Sequence, residues 1–122
     1  MRKFIKIIIF VAALVLMPQI LSAQISFSGN ASVYNMNNQK IGQQYIYADM
    51  KNGEGIMKIG NLTMKAYVRD IRRDNRVGLT AYALRLYTKD NKELGVAVTK
   101  YDKGGYTLVC NFGDGRLRFD LN

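Results

Sequence analysis

Lys65, Tyr67 and Arg69 alternate along one segment of the chain, and Arg85 and Tyr87 alternate along another. If the connection at 70–78 forms a hairpin, these five side chains share one outward face. Arg72, Arg73 and Arg76 then extend the charge through that connection. A guanidinium pairs with carboxylates, sulfates and phosphates through parallel N–H donors. Arg and Tyr are also enriched at interaction hot spots. The chemistry this set offers is recognition of an anion. The competing reading is an ordinary solvated sheet face, with the tyrosines placed there by β propensity.

Little else in the chain could do chemistry. There is no histidine, which excludes His-based acid–base work, Ser–His and Cys–His nucleophile pairs, and His metal sites. Cys110, the single cysteine, falls on the apolar side of its segment, where a thiol is a poor nucleophile. Asp49, Asp70, Asp74, Asp90, Asp102 and Asp114 fall mostly at turn positions, and their spacing proposes no glycosidase-like acid pair. Asp114-Gly115 lacks the flanking acids of a calcium loop. Gly104-Gly105 is too sparse to cradle a phosphate, and no helix follows it. The expectation is a non-enzymatic protein with no metal and no cofactor.

The elements that must position these residues are strands. Residues 24–122 contain no proline, and Gly, Asn and Asp punctuate them. Between those breaks the side chains alternate with period two, as a half-buried strand requires. Leu62, Met64, Ala66 and Val68 oppose Thr63, Lys65, Tyr67 and Arg69. Leu117, Phe119 and Leu121 oppose Arg116, Arg118 and Asp120. Asn37-Asn38, Asn52-Gly53, Gly60-Asn61, Asp90-Asn91, Gly104-Gly105 and Asp114-Gly115 supply residues that tolerate positive φ. Eight antiparallel strands follow, near 25–34, 42–50, 55–60, 62–70, 79–88, 94–102, 105–112 and 116–121. A short helical turn is expected at Asp70–Asn75.

Blocks also recur 53 residues apart. Val33-Tyr34, Asn37-Asn38, Ile41-Gly42 and Asp49 match Leu86-Tyr87, Asp90-Asn91, Leu94-Gly95 and Asp102. Ile59-Gly60-Asn61 matches Phe112-Gly113-Asp114, with one residue of slippage between blocks. This pattern proposes a duplication, 33–68 against 86–121. Hairpin turns that favour the same few residues would produce a similar pattern. The expected fold is all-β: an eight-stranded up-and-down meander closing as a small barrel, which removes exposed edges. A two-sheet β-sandwich is the alternative. The strand count and meander resemble the small secreted calycin-like (lipocalin-like) barrels of Gram-negative bacteria. The resemblance implies a fold and transfers no site, since the chain has no Trp and no Gly-x-Trp signature. A barrel of this size is either filled by its own side chains or holds one small apolar ligand. Phe27, Met64, Tyr82, Leu84, Phe112 and Phe119 are the candidate lining of such a cavity.

The first 23 residues read as a secretory leader. Arg2, Lys3 and Lys6 precede an apolar run from Ile7 to Leu16, Pro18 breaks it, and Leu21-Ser22-Ala23 offers a small-residue cleavage site. The run is shorter than the ~20 residues of a membrane span. Gln24 stands where a lipoprotein would carry cysteine. Residues 24–122 then form one domain with no transmembrane segment, placed in the periplasm or at the cell surface of a Gram-negative bacterium, or outside it. One cysteine closes no internal bridge. Without Arg2, Lys3 and Lys6, 15 basic residues stand against 9 acidic ones, leaving +6 on this domain. That bias favours an anionic glycan, a lipid head group or an acidic protein surface as partner, and export removes nucleic acid from reach. The expected function is a binding module acting through the Tyr-bearing basic face on an anionic envelope component or a protein partner, which includes enzyme inhibitors. The alternatives are a carrier of an apolar ligand inside the barrel, and a surface assembly protein.

Overall fold

A computed structural model describes residues 22–112 and 115–122. The expected leader lies almost wholly outside the described residues, as do Gly113 and Asp114 of the last expected turn. Eight strands follow one another as β1 (Ile25–Tyr34), β2 (Lys40–Lys51), β3 (Glu54–Ile59), β4 (Leu62–Asp74), β5 (Leu79–Tyr87), β6 (Glu93–Tyr101), β7 (Tyr106–Phe112) and β8 (Gly115–Leu121). Each pairs antiparallel with the next, and β8 returns to β1, so the sheet closes as a barrel and no sandwich forms. Turns 35–39, 60–61 and 88–92 lie at one end of the barrel. Turns 52–53, 75–78 and 102–105 lie at the other.

The period-two rhythm puts every second side chain inside. Ile46, Met50, Met57, Met64, Leu86, Leu108, Val98 and Cys110 are the largest fully buried side chains, and no polar or charged residue is buried among those described. Leu62 keeps the inward phase of its strand, yet it stands at the rim and is 44% exposed. Asn52 and Gly53 both adopt positive φ, 59° and 82°. This is the twist a two-residue hairpin needs, and it brings β2 and β3 together in tight register.

Two departures from period two matter. The helical turn expected at Asp70–Asn75 does not form: β4 continues as strand through Asp74. Its pairing with β5 shifts register between Val68 and Asp70, which leaves Arg69 as the extra residue of a bulge. Beyond the bulge the inward phase passes to odd numbers. Ile71, opposite Tyr82, therefore packs on the core.

The closing seam is short. β1 pairs with β8 only at Ser32↔Asp120, Val33↔Phe119 and Tyr34↔Arg118. Below these pairs side chains hold the gap: the rings of Phe27 and Tyr106 stack at 4.3 Å between centroids. The turns 35–39 and 88–92 are built alike. The amide of Asn35 donates to the Gln39 carbonyl and that of Thr88 to the Lys92 carbonyl, both at 3.0 Å. The Gln39 amide donates to Asn35 Oδ1 and the Lys92 amide to Thr88 Oγ1. Asn38 and Asn91 share a φ of 59°. At the opposite end the likeness stops, because the two-residue turn at 52–53 answers to the four-residue connection at 102–105.

Candidate functional site

The register between β4 and β5 sets the site. Lys65 lies directly opposite Tyr87, and Tyr67 opposite Arg85. All four side chains alternate outward from the packed interior. The bulge then aims Arg69 at the same surface. These five residues line one concavity of about 660 Å³, completed by Asn52, Gly53, Glu54, Val68 and Asn91. The two tyrosine rings meet edge-on, 5.7 Å apart at their centroids.

Charge is unevenly committed within this surface. Arg85 Nη1 donates to Glu93 Oε1 at 2.5 Å. The charge of Glu93, then that hydrogen bond, holds the guanidinium still more firmly protonated. Lys65 and Arg69 have no ion-pair partner among the described residues. The concavity therefore presents two unengaged cations beside an aromatic pair, with Glu54 on the wall. That arrangement can hold a carboxylate, sulfate or phosphate and lay a flat group against tyrosine. It offers no paired carboxylates and no nucleophile–base contact. Among the described residues no three Cys, Asp or Glu side chains cluster as a metal centre requires.

Arg72, Arg73 and Arg76 do not join this surface as expected. Arg72 Nε donates to Asp70 Oδ2 at 3.0 Å and is 84% exposed. Because the bulge reverses the phase, Arg73 leaves the outward face. It donates to Asp102 through both terminal nitrogens and to Thr80 Oγ1 at 3.1 Å. Arg76 sits in the 75–78 turn, exposed, with its amide donating to Asp74 Oδ1. These three belong to the end of the barrel and to its turn.

The six candidate cavity residues do not surround a single chamber. Phe27, Met64 and Leu84 are buried in the packed interior. Tyr82 lines a 250 Å³ concavity at the 102–105 end with Lys100 and Tyr106. Phe112 and Phe119 line a 320 Å³ concavity at the 35–39 end with Val33, Ile59 and Leu117. Cys110 is fully buried, and desolvation pushes its thiol up to about 12.

No family model, curated protein or solved structure matches this chain. The reading therefore rests on the site's own geometry. Asn52, Glu54 and Asn91 were not expected there. Asn52 and Asn91 arrive from the β2–β3 and β5–β6 turns and Glu54 from the first position of β3, and nothing in their spacing marks them beyond the places of the two asparagines in turn dipeptides. Among the described residues no helix is long and apolar enough to cross a membrane.

Proposed function

We propose that this protein is an exported, non-enzymatic binding module whose β3–β5 concavity holds an anionic glycan of the cell envelope. The observation that carries this reading is the convergence of Lys65, Arg69, Arg85, Tyr67 and Tyr87 on one 660 Å³ surface. That volume falls within the ~300–1,000 Å³ of ligand clefts. The unengaged cations suit acidic groups, the tyrosine faces suit sugar rings, and the amides of Asn52 and Asn91 suit hydroxyls. Lipid head groups and acidic protein surfaces share the charge without needing the aromatic shelf. Fully buried Met50, Met57, Met64, Leu86 and Leu108 pack the interior, which favours a surface ligand over one carried inside.

The test compares binding to polygalacturonate and to neutral dextran across a salt series. Binding is expected to the acidic polymer alone and to weaken as salt rises, because exposed charges are screened. Lys65→Glu and Arg69→Glu each reduce it by roughly tenfold, and Tyr67→Ala reduces it at constant salt. Arg85→Glu is a poorer probe, since it also breaks the pair with Glu93. Equal binding to dextran, or indifference to salt and to both charge reversals, overturns the reading.

A further inference from the structure

A second surface lies at the 35–39 end of the barrel and takes no part in the concavity. Met36 is 69% exposed and Ile41 57% exposed, although both are large and apolar. Ile41 is the bulged residue of β2, where the register jumps from Val33↔Gly42 to Tyr34↔Lys40. The bulge aims it outward at the rim. Leu62, also exposed, stands at the same end. Between them the surface sinks into two apolar concavities that share Phe112 and Leu117 as a common wall. Met36 lines one and Ile41 the other.

Cations ring this apolar end. Lys40 adjoins Ile41 in sequence, and Arg116 lines the same concavity as Met36. Arg118 Nη1 donates to Asn38 Oδ1 at 2.7 Å, which ties it to the turn that carries Met36. Lys89 and Lys92 stand in the companion turn. Because the two turns share their hydrogen bonds, Met36 and Lys89 occupy equivalent backbone positions. One turn presents an apolar side chain where the other presents an ammonium. Arg118 is itself paired with Asp120 at 3.4 Å; the carboxylates in and beside the 88–92 turn are Asp90 and Glu93, and Glu93 is engaged by Arg85. The opposite end is better balanced, with Arg72 on Asp70 and Arg73 on Asp102.

We propose that this end docks on an anionic lipid bilayer, with Met36, Ile41 and Leu62 entering the head-group region and the surrounding lysines and arginines meeting lipid phosphates. Protruding aliphatic side chains ringed by cations match the two layers of such an interface: hydrocarbon within, negative charge above. A protein partner would have to supply an apolar socket and a ring of carboxylates together. The two surfaces share no residue, although the 88–92 turn serves both, with Asn91 in the concavity and Lys89 and Lys92 at this end; the inference does not require the glycan reading.

The test exploits the absence of tryptophan from the chain. Met36→Trp installs a single reporter at this end, and Val77→Trp installs one in the opposite, equally exposed turn. Each protein is titrated with phosphatidylcholine vesicles, with and without phosphatidylglycerol. A blue shift is expected for Met36→Trp with the anionic vesicles only, fading as salt rises, and none for Val77→Trp. Sedimentation of the otherwise unaltered protein with the same vesicles is expected to fall about tenfold or more in Ile41→Asp. Arg69→Glu is expected to leave it unchanged, which separates this proposal from the glycan site. No sedimentation with anionic vesicles at low salt, equal sedimentation with phosphatidylcholine alone, or a shift at Val77→Trp instead overturns the inference.

Discussion

Gly55 of β3 lies opposite Met50 and Ala66, on the inward phase of the β2–β3 hairpin. A Cβ placed on it would meet the Asp49 carbonyl oxygen at 2.0 Å and Met50 Cα at 2.7 Å. Both obstacles are backbone, so no side-chain rotation relieves them. Gly55→Ala must push β2 away from β3. Overpacking a tight interior costs about 1–3 kcal/mol, occasionally more. Gly95 of β6 is the matched control. A Cβ there meets nothing within 4 Å, and Gly→Ala at a compatible position stabilises by about 0.4–1 kcal/mol through the unfolded chain. The two variants should therefore move in opposite directions and lie roughly 1.4–4 kcal/mol apart. At about 4–8 °C per kcal/mol for a domain of this size, their melting temperatures separate by at least ~6 °C. Thermal and urea unfolding followed by circular dichroism reads the difference. If Gly55→Ala proves as stable as Gly95→Ala, the close approach of β2 to β3 is wrong. The concavity wall carried by Gly53 and Glu54 would then be misplaced with it.

Two further outcomes follow from titrating groups. The Cys110 thiol is raised from 9.0 to about 12 by desolvation, so the native protein should resist alkylation by iodoacetamide at neutral pH and react only on unfolding. Its raised folded value makes a contribution to stability that is whole below pH 9.0 and declines as pH rises toward 12. Cys110→Ala should remove that part of the alkaline decline in urea midpoint. The hydrogen bond from Arg73, foremost, holds the Asp102 carboxyl below its usual range. The resulting stabilisation is present above the ordinary aspartate value and lost as pH falls through the lowered one. Asp102→Asn should flatten that acid-limb slope, modestly because the pair is exposed, and a full-sized slope in the variant would refute the assignment.

Much of the barrel was legible because turn chemistry and alternation agreed. Asn52-Gly53 and the alternating run from Leu62 to Val68 each say one thing at both levels. The stretch Asp70-Ile71-Arg72-Arg73-Asp74 gives neither signal. Four of its five residues are charged, and a bulge reverses its phase just before it begins, so spacing alone could not say which way its arginines point. The five residues that do converge were readable because β4 and β5 pair directly across a short turn. Partners brought from afar were not: Asp102 reaches Arg73 from the β6–β7 turn, and Asn52 and Asn91 enter the concavity from hairpins on either side. The exposed end with Met36 and Ile41 is illegible in the sequence for a related reason. Its apolar character depends on a bulge and on the coincidence of turns far apart in the chain.

The three-pair seam between β1 and β8 has a consequence for how the molecule comes into being. Ring closure joins the earliest strand of the domain to the latest, and every other pairing is between neighbours. A chain that emerges from its N-terminus as it is made can thus form hairpins as it goes, yet it leaves Phe27 without Tyr106 until almost everything has been delivered. The final event is the meeting of two strand ends over three residues, and it converts a curled ribbon into a body that can present a rigid surface.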